Sequence, residues 1–126
     1  MKLVDTSAWI AFFRGPGEVA DSVELALRDG EAALCGPVLT EISRGLRESE
    51  RQHVMGLFAQ CHHLRQPHAL WTYAGNLGQH LRTKGVTAKT IDLLIASYAL
   101  THGCDLVAAD TDYQHMHDAG IPLRLA

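Results

Sequence analysis

Short apolar runs alternate with longer stretches of helical periodicity along this chain. Leu3 and Val4 open a buried strand over residues 2–5, and the apolar run from Ser7 to Phe13 reads as a helix. Glycine and proline in RGPG (14–17) mark a turn. Val19, Val23, Ala26 and Leu27 then recur at helical spacing between Glu18 and Asp29, and Gly30 is placed to end that helix. AALC (32–35) is a second short strand, and Pro37 suits the first position of a helix carrying Val38, Ile42 and Leu46 on one face. A further helix is expected from Glu50 to Gln60 and a weak strand over His63–Arg65. Pro67 to Lys84 reads as a long helix closed by Gly85, and Thr87 or Thr90 as the cap of the next, which continues to Thr101. DLVAA (105–109) is a buried strand, Thr111 to Ala119 a short helix and PLRL (122–125) a closing strand.

Short apolar strands alternating with helices predict a mostly parallel sheet covered on both faces, a three-layer α/β/α domain. Right-handed crossovers put the C-terminal ends of such strands along one edge, where ligand sites of open parallel sheets lie. Asp5 follows the first strand and Asp110 the strand at 105–109, so both belong to that rim.

Four acids break the apolar pattern. Asp5 interrupts LVDTSAWI where the next apolar residue is due, although an Asp between strand and helix also serves as a helix cap. Asp92 is the one charged residue in a helix, IDLLIASYALTHG, that is apolar nearly all round. Its place in the first two turns suits the helix dipole. Glu41 borders the apolar face of GPVLTEISRGL, and Asp110 with Asp112 forms a pair in LVAADTDY, where a cap needs only one. Carboxylates converging on one rim repel by about 4 kcal/mol per close pair at an effective dielectric of 20. Such a cluster holds protons or binds a cation. Oxygen ligation without His or Cys suits Mg²⁺ or Mn²⁺, which can activate water against a phosphodiester.

Composition narrows the partners. A chain of 126 residues, 47% hydrophobic and 20% charged, reads as a single globular domain spanning 1–126. It shows no stretch of membrane-spanning length and no signal-peptide pattern. Cys35, Cys61 and Cys104 read as buried free thiols, in keeping with a reducing cytoplasm. A net charge of −3 gives no general nucleic-acid footprint, so any nucleic acid is held by a local basic patch or a metal. The eight histidines select no zinc site. His62 and His63 point to opposite faces of a strand, and His115 and His117 lie about 200° apart on a helix.

At these residues the chain resembles PIN-domain ribonucleases, and among them the VapC-type toxins of toxin–antitoxin pairs. The resemblance runs through LVDTSAWI, TEISRGL, IDLLIASYAL, LVAADTDY and the closing IPLRL, in that order. It implies a Mg²⁺-dependent endoribonuclease, with Mn²⁺ able to substitute, usually a homodimer and inhibited by a cognate antitoxin. Carried onto this chain, Asp5, Glu41, Asp92 and Asp110 take the catalytic positions. Asp5, Asp92 and Asp110 become metal ligands, the first two most directly. Thr6, Ser7 and Asp112 would support them, and Arg14, Arg44 and Lys89 are candidate RNA contacts. Two residues depart from the family's pattern: Ala108 stands where Thr is frequent and Tyr113 where Phe is frequent. A receiver-like signalling domain would need a second acid beside Asp5, an Asp after AALC and a late Lys, none of which is present. A PIN-like module that binds RNA or protein without cleaving would be expected to have lost part of the acid set.

Overall fold

The computed structural model describes residues 1–126. In chain order the elements are β1 (Lys2–Val4), α1 (Thr6–Arg14), α2 (Glu18–Arg28), β2 (Ala32–Leu34), α3 (Gly36–Gly45) and α4 (Glu48–Phe58). Then follow β3 (His62–His63), α5 (Leu70–Thr83), α6 (Thr90–His102), β4 (Asp105–Val107), α7 (Asp112–Asp118) and β5 (Arg124–Leu125). All four strand pairings are parallel, in the order β3-β2-β1-β4-β5, so the sheet expected to be mostly parallel is wholly so.

That order positions the site. The chain winds outward from the central β1 to β3, then returns to β4 on the other side of β1 and on to β5. Right-handed crossovers place the helices of the two halves on opposite faces, and a crevice opens where the winding reverses. The reversal falls between β1 and β4, paired through Leu3 with Leu106 and Val4 with Val107. Asp5 donates its backbone N–H to the Val107 carbonyl at 2.8 Å, which continues the ladder to the lip of that crevice.

Several boundaries differ from the sequence reading. β1 and β4 stop at Val4 and Val107, short of residues 5 and 109, because Asp5 leaves the strand to cap α1 and the chain after Val107 turns toward it. β3 lies at His62–His63, one residue earlier than expected, and β5 keeps only Arg124–Leu125. α5 begins at Leu70 rather than Pro67 because Ala69 takes a left-handed conformation, φ 53°, that interrupts any helix started earlier. α4 begins two residues early, and the Glu50 side chain reaches back to the Arg47 N–H at 3.0 Å. Neither Thr87 nor Thr90 caps α6: Lys89 occupies the cap in extended backbone without a side-chain bond, and Thr90 is already helical.

The core is one cluster of 29 buried apolar residues. Trp9 on α1, fully buried, meets Phe58 of α4 edge-on at 5.0 Å and stacks near Phe13 at 5.9 Å, which fixes α1 against α4. α6 is buried from Leu93 and Ile95 through Ala99, as its all-round apolar pattern requires. The three cysteines are buried free thiols, and burial pushes Cys35 up to about 12. No helix is long and apolar enough to cross a membrane.

Candidate active site

Asp5 is the acid with the most hydrogen bonds. Its extended backbone and its position before Thr6 make it the cap of α1, and Oδ2 accepts from the Ser7 N–H at 3.0 Å. The Ser7 hydroxyl donates to the same Oδ2 at 2.6 Å, while Oδ1 accepts from the Tyr113 hydroxyl at 2.7 Å. Asp5 is 3% exposed, so these three bonds compensate a carboxylate held away from water. They saturate Oδ2 and leave a lone pair open on Oδ1.

Asp92 sits in the first turn of α6, 8% exposed, and its one hydrogen bond comes from the same Tyr113 hydroxyl at 3.4 Å. Burial first, and then the negative charges of Asp5, Asp110 and Asp112, push its carboxyl up to about 6; Lys89 pulls the other way. Asp110, exposed at the rim, is also raised, by partial desolvation and then by the charges of Asp5 and Asp112. The Asp112 N–H donates to Asp110 Oδ1 at 3.2 Å and opposes that shift. Desolvation and the same acids hold the Tyr113 phenol far above its ordinary range, so it remains a donor.

Glu41 enters from α3, half-buried, and the Thr6 hydroxyl donates to its Oε1 at 2.6 Å. It lines a groove of about 530 Å³ together with Ile10, Phe13, Arg14, Ile42 and Arg47. Thr6 and Ser7 therefore hold two different acids from adjacent positions at the start of α1. Ser7 also accepts from the Ala109 N–H at 2.9 Å, tying the loop after β4 to α1. This bond restrains the backbone beside Asp110 where Ala108 offers no hydroxyl.

The cations are placed unequally. Lys89 lies close enough to Asp92 and Asp110 to lower both, and Arg14 borders the groove beside Glu41. Arg44 is exposed on α3 and does not line that groove, whereas Arg47 does. Tyr113 is the site residue that sequence reasoning missed as a participant. Its signal was a hydroxyl on an otherwise apolar helix face, directly after the acid pair.

The donor set fits a hard divalent cation. It is all oxygen, and the upward shift of Asp92, due first to burial and then to the charges of Asp5, Asp110 and Asp112, marks a buried acid that a cation would help to ionise. No group of three or more His, Cys, Asp or Glu side chains is close enough to hold a metal by itself. A pair of carboxylates nevertheless suffices for Mg²⁺, which retains several waters and takes one or two carboxylates directly.

An all-parallel sheet with buried acids at its winding reversal defines an α/β domain with an acidic crevice, and sequence comparison refines that class. The PIN domain family matches residues 2–119, and the chain belongs to that family. Within it, the chain is similar to ribonuclease VapC11 of Mycobacterium tuberculosis (strain H37Rv) and to VapC ribonuclease Mb1587 of Mycobacterium bovis. Each is 33% identical over 119 residues, covering 90% of this chain and 89% of the relative. Among solved structures, a toxin–antitoxin complex from Klebsiella pneumoniae aligns with TM-score 0.78 at 20% identity, covering 100% of this chain and 97% of the other. VapBC2 from Rickettsia felis, bound to a DNA fragment from its promoter, aligns at 0.75 and 23%, covering 99% and 96%. Both share this fold.

Proposed function

We propose that the protein is a Mg²⁺-dependent endoribonuclease, with Mn²⁺ able to substitute, and the toxin of a cytoplasmic toxin–antitoxin pair. The observation that carries the reading is the pair of nearly inaccessible carboxylates, Asp5 and Asp92, sharing one hydroxyl donor at the winding reversal. Its relatives' names as ribonucleases support RNA as the substrate.

Asp5, through the open lone pair of Oδ1, and Asp92 would hold the cation, with Asp110 and Asp112 at the rim of the same acidic field. The bound ion supplies the positive charge that admits an anionic phosphodiester to an acidic pocket and polarises water there. Glu41 is anchored through Oε1 by Thr6, which leaves Oε2 to orient a water molecule and accept its proton. Lys89 and Arg14, both exposed and outside any ion pair, are free to contact phosphates and fix the strand's position.

The groove beside Glu41 supports an antitoxin partner. Ile10 and Phe13 on its wall are each 38% exposed, an apolar surface next to the acids that a partner segment would cover. That a similar solved structure, from Klebsiella pneumoniae, is a toxin–antitoxin complex supports the same assignment.

The decisive test is cleavage of total RNA by the purified protein. EDTA should abolish it, and Mg²⁺ or Mn²⁺ should restore it. Asp5→Asn and Asp92→Asn should each lower it by at least about 100-fold, since each removes a metal-binding charge. Full activity in either variant would exclude the assignment, and sequencing the new RNA ends would identify the target.

A further inference from the structure

Asp5 and Asp92 come from opposite parts of the fold, one at the end of β1 and the other in the first turn of α6. Asp5 is already fixed by two bonds from Ser7. Asp92 has no comparable anchor; its single hydrogen bond is the one from Tyr113. The tyrosine is 1% exposed, and its ring is immobilised in the core on the first turn of α7. Its hydroxyl therefore enters the site from a third element and reaches Oδ1 of both acids. A hydroxyl has one proton, so the bond to Asp5 at 2.7 Å is the strong, charge-assisted one, and the 3.4 Å approach to Asp92 is a weaker attraction. Both favour the ionised pair at close range, which two carboxylates otherwise resist.

We propose that Tyr113 is a positioning residue: its hydroxyl spans Asp5 and Asp92 and fixes the spacing at which the pair takes up a divalent cation. The proposal rests on the metal-dependent reading above. Partners of this kind, which orient a ligand without touching the metal, change metal affinity by about 10- to 100-fold when removed. Tyr113→Phe deletes the oxygen alone and keeps the buried ring, so the core is preserved.

The test is a Mn²⁺ titration of the RNA-free protein, followed by electron paramagnetic resonance of the free ion. Tyr113→Phe should bind Mn²⁺ about tenfold more weakly than the unaltered protein. The metal concentration for its half-maximal cleavage rate should rise by the same tenfold. In an Asp92→Ala background, which removes the oxygen that accepts from Tyr113, the effect of Tyr113→Phe on residual Mn²⁺ binding should shrink below about threefold, because the span has lost one end. Equal or tighter Mn²⁺ binding by Tyr113→Phe overturns the proposal, as does an undiminished tenfold effect in the Asp92→Ala background. An unaltered protein that takes up no Mn²⁺ overturns the metal-dependent reading itself, a separate result from either of these.

Discussion

Asp92 carries opposed demands on stability and function. Burial and three neighbouring acids push its carboxyl up to about 6 from an ordinary 3.8. A carboxyl that holds its proton more tightly folded than unfolded favours the fold at acid pH. That contribution is complete below pH 4 and is lost as pH rises through about 6. At neutral pH the metal-free fold therefore retains an unfavourable charge. Asp92→Asn, uncharged throughout, should stabilise the metal-free protein at pH 8 by roughly 1–2 kcal/mol, several degrees in Tm, and change little near pH 4. Thermal melts in EDTA at the two pH values check this; a variant less stable at pH 8 contradicts it. On the proposed metal-dependent reading the order should reverse with saturating Mn²⁺, since the cation would bind more tightly to the fold that keeps the acid pair.

At the scale of elements, α5 packs on α6, the helix that carries Asp92, and two glycines of α5 face different surroundings. A Cβ at Gly75 would meet nothing within 4 Å, whereas one at Gly78 would meet a Leu93 methyl at 2.8 Å. Gly75→Ala should stabilise the protein by about 0.5–1 kcal/mol, the ordinary gain of replacing helical glycine. Gly78→Ala should gain less, because the Leu93 methyl must swing toward the neighbouring cavity that it lines with Thr87 and Ala88. Urea unfolding of both variants measures the difference. Elements such as α5 and α6 were legible in the sequence because a long period of apolar positions has few alternative explanations. Their ends were less so: nothing local announces that Ala69 is left-handed or that Lys89, not a threonine, precedes α6. The acids divide similarly. Asp5 and Asp92 stand out because a charge within an apolar pattern is costly. Tyr113 does not, since a buried aromatic reads as core until its hydroxyl is seen against a carboxylate 108 residues away. The Thr6–Glu41 bond, across 35 residues, is hidden for the same reason.

For the molecule as a whole, a net charge of −3 and an acidic crevice leave little general attraction for RNA. On the proposed reading, affinity comes from the cation and a few side chains around the rim. Arg14 and Arg47 border the groove, Lys89 stands beside Asp92 and Asp110, and Arg44 lies exposed on the helix that carries Glu41. None of these four takes part in an ion pair, so each is available to phosphate. Each phosphate neutralised on a single strand adds about −0.7 to the slope of log affinity against log salt, so three or four contacts predict a slope of about −2 to −3. The measurement needs binding without cleavage, which Glu41→Gln should provide by removing the proposed proton acceptor while sparing the Asp5–Asp92 pair. Fluorescent single-stranded RNA titrated with this variant at fixed Mg²⁺, over about 50 to 300 mM KCl, gives the slope directly. Replacing Arg14 and Lys89 with alanine should make it shallower by about 1.4, two contacts' worth. A slope of about −5 or steeper would require more cations than the rim holds and would place the RNA on another surface.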